Sequence, residues 1–493
     1  MRIENVSALE VGRQIRSGEK TVAEIVSSAL DAIAAGDGRL NAFITVCDRG
    51  ALLERAAEIQ EKIDSGALTS PLAGVPIGIK DNICTEGVLT TAASKMLYNF
   101  IPPYSATVVE RLEEAGMIVV GKLNLDEFAM GTTSETSYFG PVKNPWDVSR
   151  VAGGSSGGAV AAVAGGEIFA ALGTDTGGSI RLPASHCGVT GFKPTYGAVS
   201  RYGGIALASS LDQIGPVARD VADCAAMMDV IKGKDPLDAT SLDLPEIRAN
   251  WSEGLNGSIA GKRIALPREC FGDDVNADVK ARVFAAAETL RGLGAVVEEI
   301  GLPLLDYVIP AYSVIMTAEA SSNLAKFDGV KYGFRAEGPF GSVEELYRRT
   351  RGEGFGPEVI QRILLGTFVL SAGYYDVYYK KALQVKALIK EQFDEIFSRY
   401  DAILCPNAPH TAPGLGEEMD HHRRYLSDIF VASANLAGLP ALSAPCGFDA
   451  KGMPVGVQII GQRLSDALVL NLGYAFQQAT DYHKRIPGEG AAV

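Results

Sequence analysis

The sequence predicts an α/β protein: a single large domain in which a central mixed β-sheet is covered by helices on both faces. Three observations point there. From Gly74 onward, short β-branched runs (VPIGI, MIVVG, IFAALG, KRIALP, AVVEEI, AILCP and VGVQII) alternate with stretches of helical periodicity, the pattern of strands separated by helices. At 47% hydrophobic and 21% charged over 493 residues, the composition is that of a folded chain and excludes disorder or a collagen-like repeat. No internal repeat of fixed period is visible.

Length alone, at roughly 150 residues per domain, would suggest about three domains. The one linker-like stretch, polar and Pro-containing residues 235–258, has strand patterns on both sides, so it reads as an excursion from one core. Residues 1–70 form a helical segment packed on that core, residues 71–480 the core itself, and residues 481–493 a C-terminal tail. In the first segment Val22, Ile25, Val26, Ala29, Leu30 and Ile33 follow the helical i, i+3, i+4, i+7 spacing, and Thr21 with Glu24 spells a capping box. A helix is expected over 107–115. A longer one is expected over 376–398, with Val385, Leu388, Ile389, Phe393, Ile396 and Phe397 on one core-facing stripe.

A formal charge of −14 without a long basic run argues against this chain being the main grip on a nucleic acid. Seven scattered cysteines, with no C-x-x-C pair, read as buried thiols in a reducing compartment and not as a metal site. The amino terminus carries charges throughout and has no apolar core of a secretion signal. The most apolar stretch, Gly157 to Gly173, contains five glycines and Glu167, short of a membrane span. A cytoplasmic protein with no membrane contact is expected.

Chemistry concentrates in residues 153–197, GGSSGGAVAAVAGGEIFAALGTDTGGSIRLPASHCGVTGFKPTYG. Neither a G-x-x-x-x-G-K-[ST] nor a G-x-G-x-x-G after a strand is present, which disfavours a nucleotide site. Glycine also lets backbone N–H groups approach a reacting centre. TDTGGS, at the end of the run IFAALG, could hold a developing oxyanion beside Ser179, worth roughly 3 to 4 kcal/mol per donor; the alternative is a tight turn with a solvent-facing serine. A nucleophilic serine needs a base. Of five histidines, only His186 is near in sequence, and it could equally be a satisfied core imidazole. Lys80 closes the apolar run of GVPIGIKDN, where burial would penalise its charged form, unless it snorkels to solvent. Ser155, in GGSSGG ahead of AVAAVA, sits near a helix N-terminus, either as a cap or as a proton-sharing hydroxyl.

GIKDN, VAGGSSGG and GTDTGGSIRLPAS followed by GFKPTYG together resemble the amidase signature family, with the signature over about residues 74–215. That resemblance implies the family's fold and a Ser-Ser-Lys triad: Ser179 the acyl-enzyme nucleophile, Ser155 a bridging serine after a cis peptide bond, and Lys80 the base. Thr176, Gly177 and Gly178, with Ser179 itself, would supply oxyanion-hole N–H groups. Longer stretches, among them LNLDEFAMGTTSETSYFGPVKNPWD, GTFVLSAGYYDVYYKKA and ANLAGLPALSAPCGF, resemble the branch that hydrolyses glutamine within tRNA-dependent amidotransferases. By that resemblance Arg362 and Asp428 would hold the α-carboxylate and α-amino groups of glutamine, the guanidinium fork suiting a carboxylate, with Tyr312 as a further contact.

The same resemblance implies partner subunits B and C in a heterotrimer. Glu-tRNA(Gln) would be held mainly by those partners, and ATP with Mg used by a partner; no cofactor or metal is implied in this chain. The chain departs from the family at His186, where an aromatic is usual, at Ala198, in HHRRYLSD (421–428), which lacks the usual proline and methionine, and in CPNAPHTAP. Three other readings stand beside this one. One is a free-standing amidase. Another is an α/β-hydrolase using the G-x-S-x-G of residues 153–157, with Ser155 as nucleophile and His410 or His483 as base. The third is a scaffold in which the Ser/Gly loops are mere turns.

Overall fold

The computed structural model describes residues 6–417 and 421–488, with backbone alone for 421–427. The described strands are β1 (Phe43–Val46), β2 (Pro76–Lys80), β3 (Ile118–Leu123), β4 (Ala170–Asp175), β5 (Thr190–Lys193), β6 (Gln213–Ala218), β7 (Arg263–Pro267), β8 (Val296–Ile300), β9 (Ala402–Pro406), β10 (Ala441–Phe448) and β11 (Pro454–Gly461). They form one 11-stranded sheet in the order β1-β3-β2-β4-β6-β5-β10-β11-β9-β7-β8. The sheet is mixed: β3, β2 and β4 run parallel, as do β9, β7 and β8, while neighbours from β4 across to β9 pair antiparallel. This single α/β domain is the predicted fold.

All seven apolar runs are strands. β2, β3, β4 and β9 are buried at every position. Cover on both faces is why those runs are continuously apolar and do not alternate. The Gly157–Ala164 helix is likewise buried along its whole length. Helices form at Thr107–Glu114 and Val22–Leu40, the latter closed by the capping box: the Glu24 N–H donates to Thr21 Oγ1 at 3.2 Å and the Thr21 N–H to Glu24 Oε2 at 2.8 Å.

Three expectations change in detail. The first 70 residues are not purely helical, because β1 pairs antiparallel with β3 and makes one edge of the sheet. The 376–398 helix starts later, at Lys380, behind a π-helical turn at Tyr375–Tyr379. On its stripe Leu388 is half exposed, whereas Ile389, Phe393, Ile396 and Phe397 are buried; the core contacts only the central part of that face. Residues 235–258 do pack on the core, with Trp251 buried and its backbone N–H donating to Asp229 at 2.8 Å. Among the described residues no helix is long and apolar enough to cross a membrane. Six of the seven cysteines are buried thiols, and Cys47 is half-buried.

Candidate active site

Lys80 is the last residue of β2, and β4 lies beside that strand in parallel. Neighbouring parallel strands bring their carboxyl ends to the same edge, so Lys80 emerges next to Thr174 and Asp175. The Gly157–Ala164 helix packs over β2 and β4, and the loop before it carries Ser155 and Ser156. Lys80 is completely buried. Its Nζ donates to Ser155 Oγ, Ser156 Oγ and Thr174 Oγ1, each at 2.8 Å. Three hydroxyls thus satisfy the three protons of an ammonium. Burial drives the Lys80 pKa down to about 7, against the pull of Asp126, Asp175 and Asp212, which favour the charged form.

A low pKa does not by itself single out a base. Lys193 is also fully buried and driven down to about 7 by burial, with Arg181 adding to the effect. Lys122 is buried and lowered too. Their surroundings differ. Lys193 donates to the carbonyls of Pro194 and Leu439 and to Gln213 Oε1. Lys122 donates to the Ile83 carbonyl and Thr90 Oγ1 and lies 3.6 Å from Asp81. Among these lysines, Lys80 is the one ringed by serine and threonine hydroxyls. Ser156 gives its own proton to the Thr174 carbonyl at 3.0 Å, which leaves Ser155 and Thr174 as hydroxyls able to donate to a neutral Lys80 amine.

The Gly154–Ser155 peptide bond is cis. The Ser155 carbonyl accepts from the Asp126 N–H at 3.3 Å and from Ser134 Oγ at 3.4 Å. The Asp126 carboxylate accepts from the Ser134 N–H and Thr136 Oγ1, each at 2.9 Å. Burial pushes Asp126 up, and these hydrogen bonds together with Lys80 pull it down.

Ser179 follows β4 on the TDTGGS loop. At 9% exposed it is the most open of the three triad candidates, since Lys80 and Ser155 are at 0%. Its carbonyl accepts from the Ser156 N–H at 3.1 Å, so the two serine loops are joined through backbone. Lys80 and Ser155 are therefore in direct contact and Ser179 stands beside them, but among the described residues no hydrogen bond joins the Ser179 hydroxyl to Ser155.

The loop is held by a buried polar knot that sequence reasoning missed. Asp175 accepts from the N–H groups of Gly178 at 2.8 Å and Ile180 at 3.2 Å, from Arg181 at 3.0 Å through two nitrogens, and from Asn435 Nδ2 at 2.9 Å. Burial raises the Asp175 carboxyl, but the Arg181 guanidinium outweighs it and holds the group well below the usual carboxylate range. The signal was present as an acid and an arginine enclosing an otherwise uncharged TGGSI. The knot also corrects one expectation. The Gly178 N–H, expected among the oxyanion donors, is already bound to Asp175. The amides of Thr176, Gly177 and Ser179 make no such bond among the described residues. Thr176 Oγ1 donates to Asp212 at 2.7 Å.

Two glycines of the loop have no room for a side chain. A Cβ on Gly177 would lie 2.5 Å from Tyr312 Cζ and Oη, and one on Gly178, at φ +120°, would lie 2.2 Å from Val431 Cγ2. Tyr312 on the Val308–Asn323 helix therefore caps the loop. Around it gather the other two candidates. Arg362, on the Pro357–Leu370 helix, pairs with Glu358 at 2.8 Å and points Nη1 at Met316 Sδ, 3.6 Å away and one turn from Tyr312. Asp428, on the His421–Ala437 helix, is raised to about 7 by burial, against the opposing pull of Arg362. Burial, with Asp428 nearby, raises Tyr312 above the ordinary phenol range. Tyr312, against the Ser179 loop, thus has a guanidinium and a carboxyl within electrostatic range.

The histidines fall differently. His186 is buried against Gly153, where a Cβ would lie 2.9 Å from its Nδ1, and burial lowers its pKa to about 4. His410 shares with His186 a separate cavity of about 380 Å³. His483 lies on the turn Tyr482–Lys484. Ser155 Oγ instead meets Lys80, which removes the support for the G-x-S-x-G reading. Ala198 is fully buried, as a small residue there allows. The departures at 421–424 have side chains outside the described residues.

Comparison with known proteins agrees with this geometry. The family model described as Amidase matches residues 24–470. The A subunit of glutamyl-tRNA(Gln) amidotransferase from Agathobacter rectalis is 53% identical over 98% of this chain and 95% of its own length, and that of Moorella thermoacetica is 51% identical over 100% of both. The crystal structure of the A subunit of glutamyl-tRNA(Gln) amidotransferase from Thermotoga maritima superposes with a TM-score of 0.80 at 40% identity, covering 98% of this chain and 97% of that one. Peptide amidase from Stenotrophomonas maltophilia gives 0.83 at 29% identity over 98% of each. A lysine, two serines and a glycine loop at the carboxyl ends of neighbouring inner strands of an 11-stranded sheet, matched along nearly the whole length, mean that this chain is an enzyme of the amidase signature family.

Proposed function

We propose that this chain is the glutaminase subunit of a glutamyl-tRNA(Gln) amidotransferase. Ser179 Oγ attacks the side-chain amide carbon of glutamine. Its proton passes to Ser155 Oγ as the Ser155 proton passes to the neutral Lys80 amine. The amide oxygen becomes an oxyanion facing the free amides of Thr176, Gly177 and Ser179. Collapse expels ammonia, which takes its proton back along the relay, and water then cleaves the glutamyl ester. Arg362 holds the substrate carboxylate, Asp428 its ammonium, and Tyr312 the wall between.

The observation that carries this reading is the Lys80–Ser155 contact at 2.8 Å by a fully buried lysine with a pKa near 7, an amine neutral enough at physiological pH to take a proton. The Ser179 hydroxyl must close on Ser155 when substrate binds, a tightening common between free and substrate-bound enzymes. Identity above 50% over nearly full length to subunits of that name supports the choice of glutamine over a general amide. It also supports the presence of partner subunits; within the same proposal these are subunits B and C, which hold most of the Glu-tRNA(Gln) and use ATP with Mg, and the assembly works in the cytoplasm.

The test is co-expression with B and C subunits, mass spectrometry of the intact assembly, and assay of Gln-tRNA(Gln) formation from glutamine, ATP and Glu-tRNA(Gln). A stable assembly with glutamine-dependent product is expected. A lone monomer that turns over many simple amides, unstimulated by partners, would replace this reading with a free-standing amidase.

A further inference from the structure

Immediately after Asp126, the residue that braces Ser155, comes Glu127, which is 3% exposed. Its backbone N–H donates at 3.0 Å to Thr136 Oγ1, the same hydroxyl that donates to Asp126 Oδ1. Its carboxylate reaches the other way. One oxygen accepts from Ser94 Oγ, and Oε2 accepts from the Gly356 N–H at 2.9 Å. Gly356 is the N-cap of the Pro357–Leu370 helix and supplies no side-chain cap of its own. Glu127 is therefore the external acceptor at the start of the helix that carries Arg362. The fit is close, since a Cβ on Gly356 would lie 2.3 Å from Glu127 Oε2.

The next two residues reinforce the bracket. Phe128 and Ala129 both take positive φ, 51° and 62°, a turn that sends the Phe128 ring against Phe327 at 5.0 Å and Phe355 at 5.6 Å between centroids. Phe355 directly precedes Gly356. Residues 126–129 thus hold the bridging serine with one backbone N–H and the start of the arginine-bearing helix with the next two side chains.

We infer that Glu127 is a positioning residue for substrate: by fixing the N-terminus of the Pro357–Leu370 helix through Gly356, it sets the place of Arg362 relative to Ser155 and Ser179. This rests on the reading that Arg362 holds the substrate carboxylate. Glutamine affinity should then depend on Glu127 more than the chemical step does. The carboxylate oxygen facing Gly356 accepts its N–H whether or not the group is protonated, and an amide oxygen can replace it.

The experiment measures glutaminase kcat and KM in the assembled complex for Glu127→Ala, Glu127→Gln, Gly356→Ala, Arg362→Ala and the Glu127→Ala/Arg362→Ala double variant. Glu127→Ala, and Gly356→Ala acting from the other side of the same bond, are expected to raise KM about tenfold while kcat stays within about threefold. Glu127→Gln should stay near the parent. The double variant should be no worse than Arg362→Ala, because contacts acting through one another are not additive. A fall in kcat as large as the rise in KM in both alanine variants, or full additivity in the double, would overturn the inference in favour of a merely structural glutamate. A KM raised by Arg362→Ala but untouched by Glu127→Ala and Gly356→Ala would overturn it alone. A KM untouched by Arg362→Ala would overturn the carboxylate reading beneath it as well.

Discussion

The Ser156 N–H donates to the Ser179 carbonyl at 3.1 Å, so the loop bearing the bridging serine and the loop bearing the proposed nucleophile are aligned by main chain, not by the hydroxyls that react. Reactive side chains can then be removed without disturbing the frame that presents them.

Ser179→Ala is accordingly expected to leave the melting temperature near that of the parent while lowering glutamine hydrolysis by roughly 10³-fold or more. In the assembled complex, transamidation driven by added ammonium chloride should persist. Paired assays with glutamine and with ammonia check this, and equal loss of both would contradict the division of labour.

The pH profile follows from Lys80. Its pKa is lowered to about 7 by burial, and the neutral amine is the reactive form. The kcat/KM for glutamine should therefore rise with pH and level off above about 7, reporting the free enzyme. Asp428 titrates in the same region, so the assignment is made with Asp428→Asn, which should lower affinity but keep the rising limb. Disappearance of that limb in the variant would transfer it to Asp428.

Arg181 is completely buried and binds Asp175, Asn435 and Gln458. Arg181→Met would strand the Asp175 carboxylate in the core, at a cost of about 3–5 kcal/mol. Urea unfolding at pH 7 measures it; a loss below about 1 kcal/mol would mean that Asp175 finds compensation elsewhere.

Glu167 is 1% exposed, neither of its carboxylate oxygens has a hydrogen-bond partner among the described residues, and burial with Asp37 nearby raises its pKa to about 9. A carboxyl raised in the folded state binds its proton more tightly there than in the unfolded chain. Stability from this group is therefore undiminished below the ordinary value of 4.5 and falls as pH rises towards about 9. Glu167→Gln should raise the melting temperature at pH 8.5 and have much less effect at pH 4.5. A shift equal at both values would remove ionisation as its cause.

Gly177→Ala should push against the Tyr312 ring, 2.5 Å from the added methyl, and raise KM for glutamine severalfold, by about 1 kcal/mol or more of lost binding. Gly177→Ala combined with Tyr312→Phe should show the same defect, because Cζ clashes as well as the hydroxyl; recovery would place the conflict in the hydroxyl alone.

Much of the fold was legible because its strands are buried on both faces. Runs such as IVVG and AILCP can hardly be anything else. Of the four strands that escaped notice, Phe43–Val46 is a short one inside a segment read as helical, and the other three carry turn residues: Thr190–Lys193 has Gly191, Gln213–Ala218 has Gly215 and Pro216, and Ala441–Phe448 has Pro445 and Gly447. In the last the sheet absorbs them with a bulge between Pro445 and Gly447. At the site, Lys80, Ser155 and Ser179 stood out because their motifs are unusual in composition. Asp126, Asp175 and Glu127 did not. A buried carboxylate looks like any surface acid until the N–H groups it accepts from, some more than 200 residues away, are folded around it. The occupied Gly178 amide was hidden for the same reason.

The ring of hydroxyls around Lys80 also restricts which amino acid can stand there. Three acceptors placed around one nitrogen suit a tetrahedral head, whereas a guanidinium is flat, bulkier, and keeps its positive charge at any pH this fold would survive. The exchange most often tolerated between basic residues is shut out here twice over, by shape and by the inability to become neutral.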